Sequence, residues 1–474
     1  MSQAAAPYPD PFAAARAELG GRRVAVVGAG GTGLSAVRFL QAAGAGVSLT
    51  DSRENPPGLA ALPEDAEPEE VAVGGIDGAL LTAQDLIVVS PGIPLETPAL
   101  ALARTAGVPV IGDVELFGRY AGAPVVAITG SNGKSTVTSL IGAMYAAAER
   151  TAGVGGNLGT PALDLLQVPE PAAYVLEVSS FQAEGLVRFR PRVGVLLNLS
   201  PDHLDRYSGA EAYYAAKWRL FQGMGAGDTA VLNADDPAVV QGAESLPASV
   251  HRVWFGTGVP APGGAGLVTQ EGQQWLALGT ADGPQPVLPL SRWRLEGGPN
   301  RANALAALAA GAAAGLPMAA MAEALETFSG LPHRMEAVAE VAGVRYINDS
   351  KGTNVGAVAA ALSGLDRPYV WIAGGVNKDG DFHELVPVLK AHCREAVLIG
   401  EAAAEIEAAV GEVVAVFRAG TMEAAVRRAA EVAEPGEAVV LSPGCTSFDQ
   451  YADFAARGED FRRAVATVGE ANHA

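Results

Sequence analysis

The sequence predicts an α/β protein made of three successive α/β blocks, and three observations carry that prediction. Short apolar runs alternate with helix-length segments along nearly the whole chain. Two of those runs end in glycine loops of the kind that hold phosphate groups. At 474 residues the chain is also too long for a single hydrophobic core.

The first block starts at Arg22 with the runs "RVAVVGAG", "AGVSLTD", "DLIVVSPG" and "VPVIG". Gly28, Gly30 and Gly33 form G-x-G-x-x-G between a strand and a helix, and Asp51 ends the next strand. That is the fingerprint of a Rossmann-like frame with its acidic ribose partner. Ser52 and Arg53 add a hydroxyl and a guanidinium beside the carboxylate, while the helix after Gly33 offers N–H groups to a diphosphate. Such chemistry suits any nucleotide diphosphate, and a tight strand-to-helix turn is the plainer alternative. Ser90 to Gly92 end a further strand on the same edge.

The second block opens with "VVAITGSNGKSTVTSLIGAM", residues 125–144. An apolar strand enters Gly130, Ser131, Asn132 and Gly133, and Lys134, Ser135 and Thr136 open a helix. The loop is two residues shorter than the standard ATP-binding loop, but its parts are the same: glycines that wrap a phosphate, a lysine that neutralises it, a hydroxyl for Mg²⁺. A P-loop-type ATPase block follows from this. Glu177, ending "AAYVLEVSSFQ", is either a partner of Ser135 on one Mg²⁺ or a solvated strand-end carboxylate. His203 follows the apolar run "VGVLLN" in the company of Asp202 and Asp205, which points to a polar site; no other His or Cys stands at zinc-ligand spacing. Lys217, in the aromatic-rich helical run "AEAYYAAKWRLFQ", reads from spacing alone as a snorkelling stem. The Gly/Pro-rich stretch from Gly256 to Ser291 reads as hairpins at the rim, and "NRANALAALAAGAAAGL" as a helix with Asn300 near its start.

The third block contains "RYINDSKGTN", "YVWIAGGVNKDG", "EAVLIGE" and "AVVLSPGCTSFDQY", which give a second Rossmann-like alternation. Boundaries near 112 and 330 divide the chain into 1–112, 113–330 and 331–474, with 1–21 as an extension. The balance of 32 basic against 52 acidic residues, −20 overall, excludes broad nucleic-acid or anionic-membrane surfaces. Cys393 and Cys445 cannot build a disulfide framework and read as small apolar residues. With no secretory signal and no apolar run long enough for a span, a cytoplasmic protein is expected.

Taken together, "TGSNGKST", "GNLGTPAL", "LEVSSFQ", "SPDHLDRY", "NRANALAAL", "GLPHRME", "NDSKGTN" and "LSPGCTSFDQY" resemble the Mur ligase family, the ATP-dependent amide-forming enzymes of peptidoglycan precursor assembly. The likeness runs from about residue 22 through nearly all of the chain and explains the shortened phosphate loop, which this family shares with folylpolyglutamate synthetases. Its most similar branch adds D-glutamate to UDP-N-acetylmuramoyl-L-alanine through an acyl phosphate and a tetrahedral intermediate.

The resemblance implies roles position by position. Lys134 is to bind the β/γ-phosphates of ATP within the loop Gly130 to Thr136, and Ser135 and Glu177 a first Mg²⁺. His203 and a CO₂-carbamylated Lys217 are to serve a second, His203 also lying near the reacting carboxylate. Asn300, Asn303, Arg334 and Asp349 are to enclose the nucleotide. Thr32, Asp51, Ser52, Arg53, Ser90 and Gly92 are to hold the uridine diphosphate, with Asn157 at the muramoyl end. Lys351, Thr353, Lys378, Ser447, Phe448 and Phe454 are to receive D-glutamate, and a monomer is expected. The Asp-Asn-Pro-Arg motif of the diaminopimelate- or lysine-adding relatives is absent. Gly352 stands where alanine is expected, which suggests a looser backbone beside Lys351 and Thr353. A dehydrogenase leaves the Gly130 loop unexplained, and a P-loop switch leaves the Gly28 fingerprint unexplained. The uridine-diphosphate pocket speaks against a folate enzyme.

Overall fold

The computed structural model describes residues 10–473, apart from 57, 60, 61, 63–67, 205, 296, 366 and 379. Asp205 and the first nine residues of the extension therefore lie outside the described residues.

The apolar runs of the first block form β1 (Arg23–Val27), β2 (Gly46–Asp51), β3 (Glu70–Val73), β4 (Leu86–Val89) and β5 (Val110–Gly112), all parallel in the order β3-β2-β1-β4-β5. Strand β4 reads Leu-Ile-Val-Val and is buried throughout, as expected for a strand covered on both faces. The order reverses at β1, so Gly28, Asp51 and Ser90 end neighbouring strands at the edge where open parallel sheets bind ligands.

The second sheet comprises β6 (Val125–Thr129), β7 (Ala152–Gly156), β8 (Ala173–Glu177), β9 (Val193–Leu196), β10 (Thr229–Asn233), β11 (His251–Phe255), β12 (Ala265–Gln270), β13 (Gln273–Thr280) and β14 (Gly283–Pro289). Its order is β14-β13-β12-β11-β10-β9-β6-β8-β7, with the switch at β6. The Gly/Pro-rich stretch supplies the antiparallel ladder β12-β13-β14 at one edge, as its alternation predicts. The third sheet is β15 (Glu336–Val341), β16 (Val344–Asn348), β17 (Tyr369–Gly374), β18 (Cys393–Ile399), β19 (Ala415–Gly420) and β20 (Ala438–Leu441), ordered β15-β16-β20-β17-β18-β19 and antiparallel only at β15.

Two compact units result. One takes the chain up to Leu199, with Tyr214–Leu290 and Ala304–Leu325, and holds the first two sheets; the other takes Ser200–Tyr213, Ser291–Asn303 and Glu326 onward, and holds the third.

Part of the extension is a helix, Pro11–Leu19, capped by Asp10, whose carboxylate accepts from the Phe12 N–H at 2.9 Å. Phe12 packs on Phe39 of the helix Gly31–Ala42, and Phe39 on Tyr120, at ring separations of 5.7 and 5.5 Å.

Within the first unit, the helix Asp113–Tyr120 joins the first two sheets. Fully buried Glu115 fastens it: one carboxylate oxygen accepts the N–H groups of Val187, Arg188 and Phe189, each at 2.9 Å, and the other faces Arg119 at 3.3 Å. Glu115→Ala strands three backbone donors, so it is expected to lower stability by about 3–5 kcal/mol. Urea unfolding followed by tryptophan fluorescence measures this; an unchanged midpoint contradicts the anchoring role.

Candidate functional site

The phosphate loop follows β6, and its backbone explains its glycines. Gly133 caps the helix Lys134–Ala147 with a φ of 84°, a left-handed conformation costly for any side chain. The helix N–H groups that follow point at the space an anion takes. Lys134 folds over the loop, its ammonium donating to Gly130 O at 2.8 Å and Ser131 O at 2.9 Å.

Glu177, at the end of β8, is 3% exposed, which rules out the solvated strand-end reading. One oxygen accepts the Ser135 hydroxyl at 2.5 Å and the other the Asn157 amide at 2.6 Å. The structure thus brings Ser135 and Asn157 onto the Glu177 carboxylate, the three residues ending or following neighbouring strands, β6, β7 and β8. These are hard oxygen donors, few in number; among the described residues no three His, Cys, Asp or Glu side chains cluster as a metal cage. Mg²⁺ suits such a set, because it takes one or two protein oxygens and fills its shell with phosphate and water.

The snorkelling reading of Lys217 also fails. Its side chain is buried, 1% exposed, and its ammonium donates to Gly130 O at 2.8 Å, the same carbonyl that Lys134 uses. The two lysine nitrogens are therefore no more than twice that bond length apart.

Around the first glycine fingerprint, a Cβ on Gly33 would lie 1.8 Å from Gly28 O, so only glycine lets this helix approach its strand so closely. Asp51 is buried and braces the loop, accepting Ala29 N–H at 2.7 Å and the Arg53 guanidinium at 2.8 and 2.9 Å. Arg53 and these amides hold its carboxyl well below the usual range. Ser90 Oγ donates to Gly28 O at 3.2 Å. Ser52, Arg53 and Gly92 are exposed and Thr32 is half-buried on the same edge.

The spacing of motifs did not reveal Asp113 and Gln182. Gln182 closes a capping box with Ser179 and donates to Asp113 Oδ2 at 3.0 Å, linking the connecting helix to the segment just after Glu177. Both are buried, and a small cavity beside them is lined by Ser90, Gly112 and Phe181. An acidic residue opening a helix straight after a strand was the available signal for Asp113.

In the second unit, His203 adopts a φ of 54°, a left-handed backbone that a non-glycine residue holds only when its surroundings impose it. Asp202 accepts its N–H at 2.9 Å and the Asn354 amide at 2.9 Å. Asn300 and Asn303 sit one turn apart on the helix Gly298–Ala313, in hydrogen-bond contact at 3.5 Å. Asp349 is buried, accepting Ser442 Oγ at 2.8 Å and the N–H of Met335, the residue after Arg334, at 3.2 Å; burial pushes its pKa up to about 6.

Lys351 places its ammonium 4.0 Å from the centroid of the Phe454 ring, a cation–π contact. Ser447 is buried beside Phe448, which is 72% exposed, and Thr353 and Lys378 are half-buried in loops after β16 and β17. Gly352 is not loose. Its N–H donates to Asp349 O and its carbonyl accepts Gly444 N–H, both at 2.8 Å, and a Cβ would meet Asp349 Oδ2 at 2.6 Å. Burial pushes the thiols of Cys393 and Cys445 up to about 12, so neither is a reactive thiolate.

Three family models match consecutive stretches of the chain: "Mur ligase MurD-like, N-terminal domain" over 22–112, "Mur ligase middle domain" over 128–311 and "Mur ligase, glutamate ligase domain" over 333–445. The chain is 48% identical over 447 residues to the UDP-N-acetylmuramoylalanine–D-glutamate ligase of Nitrosococcus oceani, covering 94% of this chain and 96% of the relative. It is 46% identical over 449 residues to the enzyme of that name from Pseudomonas syringae, covering 93% and 97%. In fold it is similar to MurF from Acinetobacter baumannii, with a TM-score of 0.62 at 19% identity over 98% of this chain and 99% of that one.

Burial pushes the Asp113 carboxyl up to about 6 from its ordinary 3.8. The folded chain therefore keeps a proton that the unfolded chain has lost. Its stability is full below the unfolded value and falls as pH rises through about 6. Asp113→Asn removes that term. Relative to the wild type, the variant is expected to gain on the order of 3 kcal/mol between about pH 4 and about pH 7. Urea midpoints across that range test it; parallel curves for the two proteins contradict the assignment.

Proposed function

Because this chain belongs to the Mur ligase family, we propose that it joins D-glutamate to UDP-N-acetylmuramoyl-L-alanine, driven by ATP, in peptidoglycan precursor assembly. The observation that carries the reading is the buried Glu177 carboxylate, which receives Ser135 of the phosphate loop and Asn157 of the neighbouring strand end. A motif for the energy source and a motif for the acceptor thereby meet on one anion. Similarity over nearly the whole length to named D-glutamate ligases supports the choice of substrates.

The chemistry follows from what an amine can displace. The alanyl carboxylate attacks the γ-phosphorus of ATP, forming an acyl phosphate and releasing ADP. The amine of D-glutamate then adds to the carbonyl carbon, loses a proton, and the tetrahedral intermediate expels inorganic phosphate to leave the amide. Two anions must approach in the first step, so cations and oriented N–H groups have to offset their repulsion. Lys134 and the amides of Gly130 to Thr136 take the β/γ-phosphates. Thr32, Asp51, Ser52, Arg53, Ser90 and Gly92 hold the uridine diphosphate, and Asn157 the muramoyl end.

Ser135 and Glu177 would hold one Mg²⁺, and His203 with Lys217 a second; bound there, the ions neutralise charge on the transferring phosphoryl group. The lysine pair supports a carbamate on Lys217. Two ammonium groups on one buried carbonyl repel each other, and carbamylation turns one of them into an anion able to pair with its neighbour and with metal. Asn300, Asn303, Arg334 and Asp349 enclose the nucleotide; Lys351, Thr353, Lys378, Ser447, Phe448 and Phe454 receive D-glutamate. Two lysines and backbone donors suit a dicarboxylate. The functional domains are proposed to be 1–112, 113–330 and 331–474, working as a monomer in the cytoplasm, where ATP is made available. No helix among the described residues is long and apolar enough to cross a membrane.

Phosphate release with UDP-N-acetylmuramoyl-L-alanine and a panel of D- and L-amino acids tests the reaction: turnover is expected with D-glutamate, and ATP hydrolysis indifferent to the amino acid contradicts it. Lys217→Ala is expected to abolish turnover, with partial return on adding short carboxylic acids. Full activity in the unrescued variant defeats the carbamate.

A further inference from the structure

The last helix, Phe454–His473, carries one charge in an unusual place. Phe461, Ala464 and Val465 form its buried stripe, and Arg457 stands on that stripe one turn before Phe461, 1% exposed. Its guanidinium is surrounded by oxygen atoms from three loops. Nε donates to Ser350 Oγ at 3.0 Å, and one terminal nitrogen to Ser350 O at 2.8 Å and Cys445 O at 3.1 Å. The other donates to Cys445 O and Thr446 O, each at 3.2 Å, and to Gly374 O at 3.3 Å. Among the described residues these acceptors are all neutral, so the group is buried as a cation satisfied by dipoles. Burial pulls its pKa down to about 10, which leaves it charged at neutral pH.

Those oxygens belong to the C-terminal ends of β16, β17 and β20, three neighbouring strands of the third sheet. Directly downstream stand Lys351 and Thr353 after Ser350, Lys378 beyond Gly374, and Ser447 and Phe448 after Thr446. Ser350 Oγ also donates to the backbone carbonyl of Phe454 at 2.7 Å, the residue whose ring Lys351 covers.

We propose that Arg457 is a positioning residue for the amino-acid substrate: a single buried guanidinium ties together the three loops that carry the D-glutamate-binding side chains. The inference rests on the assignment of those side chains under the proposed function. A lysine cannot replace the arginine here, since an ammonium cannot reach five oxygens in the plane of a fork. Misplacement of any one loop is felt at the substrate, because binding geometry tolerates little error.

The test is steady-state phosphate release with Arg457→Lys, Ser350→Ala and Lys351→Ala. Arg457→Lys is expected to raise KM for D-glutamate roughly tenfold or more, with KM for ATP and for UDP-N-acetylmuramoyl-L-alanine kept within about twofold. Ser350→Ala, which removes one acceptor, is expected to raise KM for D-glutamate about threefold. A role in folding alone reduces the active fraction, and so kcat, while leaving KM for D-glutamate unchanged; that result overturns the proposal. If Arg457→Lys yields no folded protein, Ser350→Ala decides by the same criterion. An unchanged KM for D-glutamate in Lys351→Ala overturns the site assignment, and the positioning role with it. A rise there without one in Arg457→Lys overturns the positioning role alone.

Discussion

One buried carboxylate organises the first unit. Glu177 sits at the end of β8, an interior strand next to the sheet's edge, with both oxygens engaged, one by Ser135 and one by Asn157. A carboxylate at such depth is tolerated only when hydrogen bonds or cations compensate its lost hydration. The sheet order does the rest: β6, β8 and β7 are neighbours, so their C-terminal ends bring a phosphate loop, an acid and an amide to one place. The two lysines on Gly130 O add positive charge to the same rim. Positive charge and oriented N–H groups gathered in this way suit a polyphosphate.

The same economy recurs elsewhere with the signs changed. Asp51 braces the first glycine loop through Ala29 and Arg53, and Glu115 fastens the helix between the first two sheets through three amides. In the second unit a cation takes that part, with Arg457 gathering carbonyls from three loops. In each case a buried charge is surrounded by main-chain dipoles, which hold loops more firmly than apolar contact does because the partners are directional.

Much of this was legible in the chain. The alternation of apolar runs with helices, the two glycine loops and the Gly/Pro-rich hairpins all appear where local pattern places them, because period and turn chemistry are local properties. Local pattern leaves Glu177 between two readings and makes Lys217 look like a snorkelling stem, for one reason: burial is decided by segments far away in sequence. Lys217 lies on a helix of mixed character, and its bond to Gly130, 87 residues earlier, is one of the long-range contacts that local pattern does not contain. Gly352 shows the converse, an expected weakness removed by Asp349, Ser442 and Gly444. Arg457 did leave a trace, a charge on an otherwise apolar stripe, but a stripe does not say which carbonyls will meet it.

In the proposed function, Glu177 is the acid around which nucleotide and metal are held. Electron paramagnetic resonance of Mn²⁺, titrated with ATP into the wild type and into Glu177→Gln, reads this without turnover. The amide variant is expected to bind the metal–nucleotide roughly tenfold or more weakly, since it loses an anionic ligand while keeping the side chain's shape. Equal Mn²⁺ binding by the two proteins would contradict it.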